Sequence, residues 1–146
     1  MKRTLIAVLA LSLLGAAGAL AGKGGPIIAG AWGGWGEAIY PDGTTADIVV
    51  DRVDIYQKGN FVYGNSQISV TVDTEPPLEL SQVGQLSGYI QGNVLKGAFG
   101  ACLPVAPDCF GAAVFEGKIA GKTLSGTVID LSDGSTGVIT LYRMTD

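Results

Sequence analysis

The chain has 146 residues, 47% of them hydrophobic and 15% charged, with 23 Gly, 2 Cys, no His and a net charge of −4. That length supports one globular domain once any targeting segment is set aside. The missing histidine excludes Ser-His-Asp and Cys-His catalysis, His-ligated zinc or copper and an imidazole pH switch, and glycine at roughly twice its usual share of about 7% argues against helical bundles and coiled coils.

The first element in the chain reads as a signal peptide over residues 1–21. Lys2 and Arg3 precede an apolar run from Leu5 to Leu14, and Ala19-Leu20-Ala21 supplies the small-x-small pattern that signal peptidase reads. The expectation is an exported protein, periplasmic or extracellular, with no membrane span after cleavage. No cysteine follows the apolar run, so a lipid anchor has no attachment residue. Removing Lys2 and Arg3 from the 9 Lys plus Arg leaves seven against 13 Asp plus Glu, a net of −6. The remaining cations are scattered singly, which argues against nucleic acid or an anionic membrane surface as partner. Residues 22–31 read as a flexible tail. Gly22-Lys23-Gly24-Gly25 is not a phosphate loop, because no helix follows it. Residues 32–146 form the single predicted domain.

Turn signals divide that domain. Gly59-Asn60, Gly92-Asn93 and Gly121-Lys122 each stand between alternating segments, where Gly at the first central position accepts the positive φ of a type II′ hairpin turn. Asp42-Gly43 and Asp133-Gly134 are two more such signals. Between the turns lie strands predicted at about 32–41, 46–57, 61–72, 82–91, 94–101, 110–119, 123–131 and 136–144. All connections are short, including the Pro76-Pro77 loop and the one from Cys102 to Cys109, so the predicted fold is an all-β, eight-stranded antiparallel up-and-down barrel. A two-sheet sandwich would use the same strands with longer crossing connections.

Parity about the turns assigns the faces. Around Gly92-Asn93, Ile90 faces Leu95, Gly88 faces Gly97 and Leu86 faces Phe99 inside; around Gly121-Lys122, Ile119 faces Leu124, Gly117 faces Gly126 and Phe115 faces Val128. Tyr89, Lys96, Glu116, Lys118, Ser125 and Thr127 then point out, an arrangement opposite to that of outer-membrane barrels. Ile48, Val50, Phe61, Tyr63, Ile129, Leu131, Val138 and Tyr142 are expected outside, where one strip of them offers a homo-oligomer contact.

Connections alternate between the ends of a meander, so the three Gly-[Asn/Lys] turns gather at one end and the longer loops at the other, where the mouth is expected. Gly30-Ala31-Trp32 opens the first strand and Arg143 lies near the close of the last, both at the compact-turn end. This pairing resembles the calycin superfamily of lipocalins, fatty-acid-binding proteins and avidins, and implies a Trp closing the barrel floor beneath a C-terminal Arg, with a cation–π contact of about 0.5–2 kcal/mol. The resemblance extends over the whole domain as a layout, with departures. The chain has no room for a lipocalin C-terminal helix and no helical insertion after the first strand. Both tryptophans, Trp32 and Trp35, lie in that strand, so biotin binding is not implied.

Few residues suggest chemistry. Cys102 and Cys109 bound an eight-residue segment stiffened by Pro104 and Pro107; in an oxidising compartment they are expected to form a disulfide. Metal binding would need further soft ligands, so no metal or other cofactor is expected. Asp42-Gly43 and Asp133-Gly134 follow no calcium-loop spacing and are explained by turn geometry. Parity places Tyr40, Asp51 opposite Ile68, and Asp130 opposite Gly137 on the inner face near the mouth, as candidate ligand-orienting groups. The expected function is binding of a small, largely apolar ligand at the long-loop end. The alternative is a secreted or periplasmic interaction or inhibitor module with a filled core, engaging a protein partner through its rim loops. An enzyme is the least favoured reading and would need Asp51 and Asp130 to converge in a cleft.

Overall fold

A computed structural model describes residues 25–102 and 109–145; the expected signal peptide and the loop between the two cysteines lie outside the described residues. The elements are β1 (Gly30–Ile39), β2 (Thr45–Lys58), β3 (Phe61–Val72), β4 (Leu78–Gln91), β5 (Val94–Cys102), β6 (Cys109–Ala120), β7 (Thr123–Asp130) and β8 (Thr136–Arg143). They pair antiparallel in chain order and close into a barrel, β8 returning to β1 through Trp32↔Arg143 to Ile39↔Thr136. Closure pairs every strand on both sides and leaves no edge. No helix among the described residues is long and apolar enough to cross a membrane.

The turn chemistry acts as expected. Lys58↔Phe61, Gln91↔Val94 and Ala120↔Thr123 flank two-residue turns whose Gly59, Gly92 and Gly121 all have φ +62°, a region costly for any residue with a Cβ. The β3–β4 connection is tighter than predicted. Leu78 and Leu80 pair with Val72 and Val70, so β4 begins at Leu78 rather than near 82.

Both diagnostic hairpins have the predicted register, with Ile90↔Leu95, Gly88↔Gly97 and Leu86↔Phe99 in one, and Ile119↔Leu124, Gly117↔Gly126 and Phe115↔Val128 in the other. The paired glycines let the backbones come close. A Cβ on Gly88 would stand 2.8 Å from the Gly97 Cα, and one on Gly126 would collide with the Gly117 Cα and the Glu116 carbonyl. This close approach permits the tight coiling that a small barrel needs.

β2 departs from simple alternation. Between Val50 and Val53 it carries one residue more than either neighbour: Trp32↔Val53 and Gly34↔Val50 on the β1 side, Val50↔Ile68 and Arg52↔Gln67 on the β3 side. This bulge reverses the strand's phase, so Val50 and Val53 are both buried. Ile48 and Val50, expected outside, therefore lie on the inner face, whereas Phe61, Tyr63, Ile129, Leu131, Val138 and Tyr142 are exposed as expected. Trp35, 62% exposed, packs beside Tyr142 on the outer wall with ring centroids 5.1 Å apart.

The floor is built from both ends of the barrel sequence. Trp32 is fully buried, and the Arg143 guanidinium lies over its ring, Cζ 5.3 Å from the centroid. The described part of residues 22–31 is an ordered plug rather than a flexible tail. Ile28 is 0% exposed; its N–H donates to Gln57 Oε1 (2.8 Å), and its carbonyl accepts from Trp32 Nε1 (2.8 Å). Arg143 Nη2 donates to the carbonyls of Ala29 (2.7 Å) and Ile27 (3.1 Å), fastening the plug from the other side. An apolar residue followed by a carbonyl-rich strap thus seals the compact-turn end against water.

Candidate functional site

The inward face is rich in residues with little or no side chain, and this makes the barrel hollow. From β1 inward come Gly34, Gly36 and Ala38 above Trp32, and from other strands Gly64, Gly84, Gly117, Gly126 and Gly137. The two large inward rings lie along the wall instead of across the lumen. Phe115 rests where a Cβ on Gly117 would collide with it, and Phe99 does the same over Gly84. What remains is a cavity of about 390 Å³, within the range of about 300–1,000 Å³ typical of small-molecule sites.

Its walls are mostly apolar, with polar side chains at one level of the β3–β4 side and at the rim. The lower part is apolar, lined by Val53, Ile55, Leu95, Leu124 and Leu141. On the β3–β4 wall the surface becomes polar at Ser66 and Gln82. Ser66 pairs with Val53 on one side and, on the other, with Gly84, over which the Phe99 ring lies. Ser66 is 7% exposed, and its hydroxyl has no hydrogen-bond partner. Such an orphaned buried hydroxyl is unusual, because leaving one unpaired costs about 1–3 kcal/mol.

The mouth carries Tyr40, Asp130, Ser132, Asp133 and Ser135. The β7–β8 turn holds its own carboxylates in place. Asp130 Oδ1 accepts from the Ser132 backbone N–H (2.7 Å) and from the Ser132 hydroxyl, and Asp133 Oδ1 accepts from the Ser135 N–H (2.8 Å). The Asp130 N–H donates to the Ser135 carbonyl (2.9 Å), so Ser135, not the expected Gly137, stands opposite. The offset is two residues, which preserves parity and keeps Asp130 on the lumen. Tyr40 lines the same rim, its backbone closing the β1–β2 turn through Tyr40 N–H to Thr44 O (2.8 Å). Burial, then the nearby Asp133 and Asp130 charges, push the Tyr40 phenol above its ordinary value of 10.0. The mouth is therefore a region of negative potential.

Asp51 does not join this group. The β2 bulge breaks the expected pairing with Ile68, whose partner is Val50; Asp51 is exposed and accepts a hydrogen bond from Ser69 Oγ (2.7 Å). Asp51 and Asp130 do not converge in a cleft. Cys102 and Cys109 are register partners across β5 and β6, while their side chains lie outside the described residues. Ser66 and Gln82 escaped the sequence reading, although inward parity from Ile68 down β3 would have found the serine.

No protein-family model, curated protein or solved structure matches the chain. The fold class rests on the register itself: eight antiparallel strands closed in sequence order.

Proposed function

We propose that this is an exported binding protein of calycin-like layout that holds a small, largely apolar molecule in its lumen, entering from the end of the longer loops. The hollow interior of about 390 Å³ carries the reading. A barrel of this size can be filled completely by inward side chains, and here many inward positions are glycines that contribute none. The plugged floor and the Trp32–Arg143 contact support the calycin-like layout, and the residue pattern of 1–21 supports export. The alternative of a protein-interaction module presumes a solid core, and the open lumen weighs against it.

Two measurements test the reading. Native mass spectrometry of protein purified from the producing cell's own periplasm or medium should find a bound small mass. Titration with phenylnaphthylamine, a neutral fluorophore that brightens in apolar surroundings, should saturate at one site. Ala113→Phe, which adds a ring to a buried lumen position, should abolish that signal while the protein stays folded. Equal fluorescence from wild type and Ala113→Phe would place the probe outside the barrel and remove the proposal.

A further inference from the structure

We infer that the ligand is an uncharged molecule with an apolar body and one hydroxyl or carbonyl group, which it presents to Ser66 inside the lumen, and that molecules of the same shape bearing a carboxylate are rejected. The inference rests on the lumen-binding reading above and specifies its ligand class.

Two independent observations support it. Ser66, 7% exposed, lines the cavity, and its buried hydroxyl has no partner of its own. It can donate one hydrogen bond and accept two, so it matches a ligand hydroxyl in either direction or a carbonyl as donor. Gly84, its cross-strand neighbour, carries no side chain and lies under the Phe99 ring, and Gln82, two residues along β4, brings an amide to the same wall. The second observation is charge. Among the described residues no Lys or Arg lines the cavity, whereas Asp130 and Asp133 stand at its mouth. A carboxylate would pass two like charges and then lose its hydration with no cation to replace it, which is expensive in an apolar interior. A hydroxyl or carbonyl loses much less on entry, and Ser66 restores that hydrogen bond.

The test is competition against bound phenylnaphthylamine at neutral pH, using a straight-chain primary alcohol and the carboxylate of equal chain length. The alcohol should displace the fluorophore at least about tenfold more effectively than the carboxylate. Replacing both mouth acids, Asp130→Asn with Asp133→Asn, should narrow that gap by making the carboxylate a better competitor. Ser66→Ala should weaken the alcohol about 3- to 10-fold, the value of one hydrogen bond, and leave phenylnaphthylamine affinity unchanged. In the ligand-free protein the same variant should leave the unfolding midpoint unchanged or raise it, since it removes an unpaired group; a purely structural serine would lower it. Equal or stronger binding of the carboxylate, or an unchanged alcohol affinity in Ser66→Ala, overturns the inference while leaving lumen binding intact. Failure of phenylnaphthylamine itself to bind overturns the lumen reading and this inference together.

Discussion

Arg143 binds the two ends of the barrel together: its guanidinium covers the Trp32 indole at 5.3 Å and donates to the carbonyls of Ala29 and Ile27, which precede that tryptophan. One side chain thus contacts an aromatic face and holds the strap that plugs the floor. Arg143→Met keeps the length of the side chain and removes both interactions. It should lower stability by about 1–3 kcal/mol, read as a lower denaturant midpoint. Arg143→Lys should recover only part of that, because an ammonium lacks the planar fork that reaches two carbonyls over a ring.

Gly117 controls the width of the lumen. The nearest atoms to a Cβ at this position belong to the side chains of Phe115 and Leu124. Gly117→Ala should swing the Phe115 ring into the cavity, at a cost of about 1–3 kcal/mol for the repacking. Phenylnaphthylamine binding should fall more than tenfold while the circular dichroism spectrum stays that of a β-barrel.

The two acids once grouped by parity should behave differently. Asp51→Ala removes an exposed carboxylate with one hydroxyl partner, so stability should change by no more than about 0.5 kcal/mol and binding should not change. Asp130→Ala leaves the Ser132 N–H and hydroxyl without their acceptor and should cost about 1–2 kcal/mol. Urea titrations of the two variants, run side by side, check the contrast.

Alkali should loosen the protein through Tyr40. Its folded pKa lies above the ordinary 10.0 because burial, then Asp133 and Asp130, disfavour the phenolate. A group that holds its proton more tightly when folded contributes its full stability below its unfolded pKa and loses it as pH rises through the folded value. Wild type should therefore lose stability above about pH 10 more steeply than Tyr40→Phe. Denaturant midpoints of both proteins across that interval isolate the contribution of the phenol.

The register of Cys102 with Cys109 favours a covalent link. Mass spectrometry of protein made in an oxidising compartment, with and without reductant, should detect one disulfide, and its reduction should cost about 2.5 kcal/mol on the chain-entropy account. Unmodified thiols in protein taken from an oxidising compartment would contradict this.

Most of the architecture was legible because it depends on local chemistry. Gly59, Gly92 and Gly121 stand where only a residue without a Cβ turns easily, and two-residue turns fix register, so the inward pairs of β4–β7 followed by counting. The meeting of Trp32 with Arg143 followed from the same alternation of strand ends. What was missed depends on departures from alternation. The apolar runs Ile48–Val50 and Val53–Ile55 are out of phase by one residue, and that offset is the bulge. A reading that keeps strict parity sends Asp51 inward and Ile48 outward. Parity from Ile68 puts Ser66 inward, but an isolated serine in a strand is ordinary until its hydroxyl proves to be buried without a partner. Ile28 was hidden for a similar reason: a glycine-flanked segment looks loose until Gln57 and Arg143, distant in sequence, tie it down.

The seam between β1 and β8 sets the order in which the molecule can be completed. Gly30–Ile39 gains its second neighbour only when Thr136–Arg143 arrives, so no shorter stretch of the nascent polypeptide can finish the cylinder. Such dependence on residues far apart along the chain slows folding. A chain that lacks its last strand would therefore leave β1 and β7 each with one unpaired edge.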